Sequence, residues 1–458
     1  MRGMSGVILD SQFCKKLTRI AYHLPMILYS TKNTQLKASL EEAVFRSLPA
    51  DNGLYMPEHI PSISPDFLAN IEQRSFNEIA FEVSKTLLSD DIPEADILQI
   101  VERAFDFDAP VVPIEDKTYC LELFHGPSMA FKDFGARFMA SLMSYFLVRS
   151  QQEIRILVAT SGDTGGAVAQ GFHNVPGINV TILYPSGKVS DIQEKQLTTL
   201  GGNVTALEVD GTFDDCQALV KQAFLDDELN KKYNLASANS INISRLIPQS
   251  FYYFRAYAQV KHLGLPVVFS VPSGNFGNLS AGLLAYRMGL PVAHFIATTN
   301  RNNVVPNYLS NGNYAPVPSV ETISNAMDVG NPSNFVRMTR FFGDEWAKVK
   351  QDISGFWFND DQTKAAMREV YDRTGYLMCP HTAVAYLGLK EYTNLTQKEV
   401  AGVFLSTAHY AKFLNVVEDA LGTGEVEIPT RLSDLLSKEK VATPMTKQFA
   451  DFKAYLLG

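Results

Sequence analysis

From Met26 to about Phe105 the apolar positions recur three to four residues apart, most clearly at Phe76, Ile79, Val83 and Leu87, which is the period of an amphipathic helix. The run LPADNGLYMPEHIPSISP breaks that rhythm with turn formers, among them Asn52-Gly53 and four prolines. A small, mainly helical leading domain over 26–105 is expected.

Beyond it the rhythm changes. Short β-rich runs alternate with helix-period stretches. The strands predicted are 118–124 (TYCLELF), 154–160 (IRILVAT), 179–185 (NVTILYP), 203–209 (NVTALEV), 266–272 (PVVFSVP), 292–298 (VAHFIAT) and 400–407 (VAGVFLST). Helical stretches such as DFGARFMASLMSYFL, TGGAVAQGF and NISRLIPQSFYYFRAYAQV lie between them. Nearly continuous apolar, β-branched strands alternating with helices predict an α/β region over 106–458, with parallel sheet covered on both faces. Residues 299–375 open polar and turn-rich (NRNNVVPNYLSNGNYAPVP) and read as an insertion or cap that would supply a lid.

Residues 1–25 fit neither this rhythm nor a targeting segment. Their short apolar patches are broken by Asp10, Lys15, Lys16 and Arg19, and no small-residue cleavage site follows. They are expected to be an extension or an early-placed start, with Met26 as the working start.

Composition narrows the function classes. The chain has 458 residues, 46% of them hydrophobic, enough for more than one core. Its 40 Lys and Arg against 49 Asp and Glu give a net charge of −9, which argues against nucleic acid or an anionic membrane as main partner. No apolar run reaches the ~18 residues of a membrane span, so a soluble protein is expected. Cys14, Cys120, Cys216 and Cys379 form no CxxC pair, and the eight histidines include no HExxH. No metal site is expected, and scattered thiols suit a reducing cytoplasmic setting.

In a doubly covered sheet, ligands gather where strands give way to helices. Four such junctions carry candidate chemistry. Ser273-Gly274-Asn275-Phe276-Gly277-Asn278 follows one strand and opens a helix, so its amides are able to converge on a phosphate. Taken alone it is as readily a tight turn, and it is neither GxGxxG nor a Walker loop. Ser161-Gly162-Asp163-Thr164-Gly165 suits a carboxylate or a second phosphate, or merely caps a helix. Lys132 sits among aromatic residues in the first turn of a helix, where desolvation would lower its pKa and make it a Schiff-base amine. An arbitrary lysine there would be a surface residue paired with Asp133. Thr407, at the end of the last predicted strand, offers a hydroxyl to a heterocycle nitrogen or a helix cap. Together these are the parts that a pyridoxal phosphate enzyme requires.

The blocks HGPSMAFKDFGARF, SGDTGG, NSINISRLIPQ, VPSGNFGN, AMDVGNPSNF, PHTAVA and LSTAHYAKF, in this order, resemble those of threonine synthases. The leading YSTKN and DNGLYMPE elements resemble the small first domain of that family. The resemblance implies a fold type II pyridoxal phosphate enzyme, with twisted parallel or mixed sheets in two subdomains. It implies Lys132 as the cofactor's lysine, Gly274, Asn275, Phe276, Gly277 and Asn278 around the cofactor phosphate, and Thr407 at the pyridine nitrogen. Ser161, Gly162, Asp163, Thr164 and Gly165 would hold the amino-acid end of the substrate. Arg137, Asn242 and Arg245 are the candidates for the substrate phosphate, since an arginine fork donates two parallel hydrogen bonds.

The implied reaction converts O-phospho-L-homoserine and water to L-threonine and phosphate. The implied protein is cytoplasmic, and a monomer or homodimer. Two alternatives stay open at this stage: a related phospho-lyase releasing 2-oxobutyrate, and a pyridoxal phosphate-binding protein without turnover. The missing GxGxxG makes an NAD-linked dehydrogenase a poor third.

Overall fold

The computed structural model describes residues 25–150, 153–422 and 426–458. Apart from Pro25, the segment 1–25 lies outside the described residues.

The leading region holds three short antiparallel strands, β1 (Leu28–Ser30), β2 (Lys37–Ala38) and β3 (Tyr55–Pro57), in the order β2-β1-β3. Helix Phe76–Leu88 starts at a capping box between Ser75 and Glu78 and buries Phe76, Ile79, Val83 and Leu87, as their spacing predicts. Strands of two or three residues are too short to show alternation, and the pattern of the sequence predicts none of them.

The chain then builds two larger sheets. A hairpin of β4 (Val111–Glu115) and β5 (Thr118–Glu122) begins a six-stranded sheet. The chain leaves it for β6 (Ile154–Ala159), β7 (Ile178–Pro185), β8 (Val204–Asp210) and β9 (Asn234–Ser237), and these belong to a parallel five-stranded sheet. It returns through β10 (Val267–Pro272), β11 (His294–Thr299), β12 (Ile353–Trp357) and β13 (Ala401–Ser406), all parallel, before β14 (Thr443–Thr446) joins the five-stranded sheet. The orders are β12-β11-β10-β13-β5-β4 and β14-β8-β7-β6-β9.

All seven strands predicted from the sequence are present, their ends within two residues of expectation. The four missed from the two large sheets, β4, β9, β12 and β14, are the four outer strands. Each is partly exposed, so none carries the continuous apolar run of a central strand such as β10, buried throughout.

One correction concerns 299–375. It is not an insertion beside the sheet, because β12 pairs in parallel with β11 and helix Asp360–Thr374 follows it. Between helices Val304–Asn311 and Phe335–Arg340 the chain has one short 3-10 turn, Asn325–Met327. That stretch is pinned from within. Asp328 accepts from Asn300 Nδ2 (2.8 Å), Asn302 Nδ2 (3.1 Å) and Thr322 Oγ1 (2.7 Å).

Two features fasten the leading region to the sheets. Phe76 and Phe105 pack edge-on at 5.2 Å, and Phe76 meets Phe134 at 5.3 Å, with Tyr252 on the far side of Phe134 at 5.2 Å. Arg337, wholly buried, donates to the carbonyls of Tyr55 (3.1 Å), Ser240 (3.0 Å) and Ile241 (2.7 Å) and to Asn334 Oδ1 (2.8 Å). Among the described residues no carboxylate pairs with it, and burial pulls its pKa down to about 9.

Candidate active site

Each large sheet has one strand from which the chain order runs outward in both directions. In the five-stranded sheet it is β6, flanked by β7 and β9; in the other it is β10, flanked by β11 and β13. Crevices form beyond the carboxyl ends of strands at such switch points. The turn after β6 is Thr160–Asp163 and the turn after β10 is Ser273–Phe276, and both line one cleft of about 110 Å³. It adjoins a wider groove of about 870 Å³, which reaches the leading region at Thr31 and Asn52 and shares Asn239, Ser240 and Asn275 with the cleft.

Lys132 lines this cleft as the first residue of helix Lys132–Ser150, and the buried Phe134 anchors that helix start. Its ammonium lies 5.5 Å from the ring of Phe131. Burial lowers its pKa to about 8; Asp163 opposes the shift, while the positive charges of Arg245 and Lys412 add to it. The pairing with Asp133 does not occur. Asp133 Oδ2 is turned to Ser128 N (2.9 Å), and burial raises that carboxyl to about 6.

After β6, Thr160 Oγ1 accepts from the amides of Gly162 (3.0 Å) and Gly165 (2.8 Å), tying the turn from inside. Ser161, Asp163 and Thr164 therefore line the cleft, whereas Gly162 and Gly165 face protein. A Cβ on Gly162 would meet Gln193 at 2.5 Å, and one on Gly165 would meet Leu197 at 2.5 Å. Both glycines are close-packed on the side where a Cβ would stand.

After β10, Phe276 takes a left-handed φ of 60° as the N-cap of helix Gly277–Arg287. The first amides of a helix have no intrahelical acceptor, so this bend directs donors outward together. Gly274 passes under the Asn325–Met327 turn, where a Cβ would come within 2.7 Å of Ala326 O. Asn278 Oδ1 accepts from the hydroxyls of Tyr252 (2.6 Å) and Tyr253 (2.8 Å), which fixes its amide. Its Nδ2 is buried without a partner. No acid stands between Ser273 and Asn278. The turn thus presents a helix start and the Asn278 Nδ2 donor with no negative charge of its own.

Thr407, at the end of β13, also lines the cleft, and its carbonyl accepts from Phe131 N (2.8 Å), joining it to the Lys132 helix. Arg245 lines it too, its guanidinium braced on the carbonyls of Ala238 and Lys132, with no carboxylate in a salt bridge to it among the described residues.

Two expected residues are elsewhere. Arg137 donates to Ala104 O (2.6 Å) and pairs with Asp106 at 3.0 Å, one helical turn along and facing the leading region. Asn242 is wholly buried, donating to Val44 O (2.9 Å) and Ser47 Oγ (3.0 Å) while its Oδ1 caps Ser244 N (3.0 Å). Neither lines the cleft.

Reasoning from sequence left out seven polar residues that do line it: Thr160, Asn239, Ser240, Gln249, Asn325, Asp328 and His381. His381 accepts from Ala326 N at 3.2 Å, and burial lowers its pKa to about 4, so the ring is neutral. The PHTAVA and AMDVGNPSNF blocks contain His381 and Asp328, and this was the available signal.

Comparison with known proteins decides the family. Residues 110–406 match the pyridoxal-phosphate dependent enzyme family, 28–105 the threonine synthase N terminus, and 382–456 the threonine synthase C-terminal region. The threonine synthase of Haemophilus influenzae is 44% identical over 434 residues, spanning 94% of this chain and 100% of that protein. The chain belongs to the threonine synthase family.

Its structure agrees with others of that family. The crystal structure of threonine synthase from Escherichia coli has a TM-score of 0.88 at 42% identity, covering 94% of this chain and 99% of that one. The pyridoxal phosphate-bound threonine synthase from Brucella melitensis has a TM-score of 0.87 at 33% identity, covering 94% and 98%. The fold is therefore that of a fold type II pyridoxal phosphate enzyme, and pyridoxal phosphate is its cofactor. The cleft fits the group: the orphaned Asn278 Nδ2 and the acid-free turn suit its phosphate, and Lys132 supplies an amine with lowered pKa. No helix among the described residues is long and apolar enough to cross a membrane.

Proposed function

We propose that the chain converts O-phospho-L-homoserine and water to L-threonine and phosphate, with Lys132 as the amine that bears the cofactor and moves the substrate's protons. The observation that supports this most is the meeting, in one cleft, of a buried amine of pKa about 8 and a donor-lined, acid-free turn. Pyridoxal phosphate, when bound, supplies the electron sink that such chemistry needs.

The chain's own residues divide the remaining work. Gly274, Asn275, Phe276, Gly277 and Asn278 hold the cofactor phosphate through amides and Asn278 Nδ2. Thr407 gives a neutral hydroxyl to the pyridine nitrogen, so it does not force a proton onto the ring. Ser161 and Thr164 bind the amino-acid carboxylate beside a helix start. Of the three candidates for the substrate phosphate only Arg245 lines the cleft, a cation held by carbonyls with no salt-bridged carboxylate among the described residues. Lys132 Nζ takes a proton from the substrate's α-carbon and then one from its β-carbon, and phosphate leaves the γ-carbon. The amine returns protons to the γ- and α-carbons as water adds its hydroxyl at the β-carbon and gives its remaining proton to the phosphate. An amine with pKa near the working pH is able to do both. The protein is taken to work in the cytoplasm as a monomer or homodimer. Cys120, Cys216 and Cys379, all buried free thiols, fit a reducing compartment.

The test is product identity. Purified protein is incubated with O-phospho-L-homoserine, and phosphate, threonine and 2-oxobutyrate are quantified, with Lys132→Ala as control. Equal phosphate and threonine, both lost in the variant, is the expected result. Phosphate with 2-oxobutyrate would make the chain a phospho-lyase, and no phosphate at all from cofactor-loaded protein would overturn the catalytic reading.

A further inference from the structure

Asp163 and Lys412 form an ion pair of 2.7 Å with side chains 5% and 0% exposed. The pair joins the two large sheets, since Asp163 begins the helix after β6 and Lys412 lies in the 3-10 turn Tyr410–Phe413 that follows β13. Burying two charges costs about as much as their attraction returns, so stability alone is a weak reason for such a pair. Its surroundings suggest another. Lys412 Nζ also donates to Ser128 O (2.8 Å), on the segment that leads into Lys132, and Gln196 Nε2 reaches the same carbonyl (2.9 Å). Gln193 Nε2 and Lys412 both approach Asp163 through Oδ1, at 2.9 and 2.7 Å, and the carboxylate as a whole lines the cleft with Lys132.

The charged and titratable groups around the Lys132 amine come from five other parts of the chain and from its own helix. Asp163 faces it from the helix after β6, Arg245 from helix Ile243–Leu246, and Lys412 from the turn after β13. Neutral His381 faces it from helix Pro380–Thr396, and Asp328 lies across the cleft, already bonded to Asn300, Asn302 and Thr322. Asp133, the next residue, is held by Ser128 N. Asp163 is therefore the carboxylate best placed to capture a Lys132 ammonium.

We propose that Lys412 is a positioning residue that occupies Asp163 and thereby keeps the Lys132 amine available as a free base. This rests on Lys132 being the working amine. The two halves of the pair then act on Lys132 in opposite directions. Without Lys412, Asp163 turns its charge on Lys132 and stabilises the ammonium. Without the Asp163 charge, Lys412 repels that ammonium uncompensated. A purely structural bridge would not give opposite signs.

The experiment measures Lys132 in the apoprotein, by following its reductive methylation against pH and quantifying the modified peptide by mass spectrometry. Lys412→Met is expected to move the midpoint alkaline by about one to three pH units, the size of an opposite-charge effect. Asp163→Asn should move it toward acid, and Lys412→Arg should leave it in place. An unmoved midpoint in Lys412→Met, or shifts of one sign in both variants, would overturn the proposal. If Lys412→Met does not fold, the double variant with Asp163→Asn replaces both charges and is compared with Asp163→Asn alone. Its midpoint should be the more alkaline, and coincidence of the two would be equally fatal. Borohydride reduction of the holoenzyme, followed by peptide mapping, separates the two assignments. Cofactor found on another lysine removes the role of Lys132, whereas cofactor on Lys132 with an unmoved midpoint removes only that of Lys412.

Discussion

The turns after β6 and β10 occupy equivalent places in their sheets and share one backbone device, an N-cap residue with positive φ (Gly162 at 131°, Phe276 at 60°) before a helix. Their electrostatics are opposite. The first already contains an anion, the Asp163 carboxylate, at the positive end of its helix and against Lys412. The second contains none, and Asn278 keeps a donor unspent. Topology thus decides where a crevice forms, and the charge already present decides which ligand each side is able to accept. The acid-free β10 side suits a phosphate dianion, whereas on the β6 side the Asp163 charge is already matched by Lys412.

The contrast is broken most forcefully at Lys412. Lys412→Met leaves a buried carboxylate unpaired and should cost about 3–5 kcal/mol of stability, read from chemical denaturation at neutral pH. The pH dependence of that deficit sharpens the point. Burial by itself would raise Asp163, but Lys412 and then Lys132 outweigh it and hold its folded pKa at about 2, below the ordinary 3.8. Its contribution is therefore full above pH 3.8 and is lost as pH falls toward 2. The gap between Lys412→Met and the parent should narrow over that interval, and a constant gap would mean that charge is not what the pair supplies.

Next in size is Arg245→Met. Loss of a charged donor to phosphate, worth about 1.5–3 kcal/mol, should raise KM for O-phospho-L-homoserine roughly 10–100-fold, measured by steady-state phosphate release.

The glycines of the two turns come after that, and they should fail differently. Gly274→Ala drives a Cβ onto Ala326 O and should weaken cofactor retention, seen as loss of absorbance on dialysis. Gly165→Ala strikes Leu197 and Thr160 in the core and should cost about 1–3 kcal/mol of stability with cofactor retained once folded. Equal cofactor loss in both would erase the distinction between the turns. Smallest of all, Arg137→Met should leave KM and kcat within about twofold, because its partners are Ala104 O and Asp106.

The features legible in the sequence were those written in consecutive residues. The place of the β10 turn could be read because strand, glycine-bearing turn and helix follow one another along the chain, and central strands could be read because burial on both faces demands unbroken apolar runs. Edge strands such as β4 and β14 escaped for the converse reason. Arg137 and Arg245 look alike in the sequence, each among polar and aromatic neighbours; what separates them is which carbonyls and carboxylates the fold brings close, as for Arg137 with Asp106 at 3.0 Å. Lys412 was illegible in the same way, since its partner Asp163 stands on another sheet. The packing around Gly162 and Gly165 was illegible too, since the residues a Cβ would meet there, Gln193 and Leu197, are distant in sequence.

Arg337 bears on how far this molecule is modular. Its guanidinium is wholly buried, and one of its carbonyl partners, Tyr55 O, belongs to the leading region, while Ser240 O lies beside the cleft. Cutting the chain after Phe105 would not simply detach a unit. It would strip a buried cation of part of its solvation and leave that deficit beside the β10 turn, where Ser240 Cβ is 3.2 Å from the Cβ position of Gly277. The leading region is a structural dependency of the catalytic body, and a minimal catalytic fragment of this chain would have to keep it or redesign Arg337.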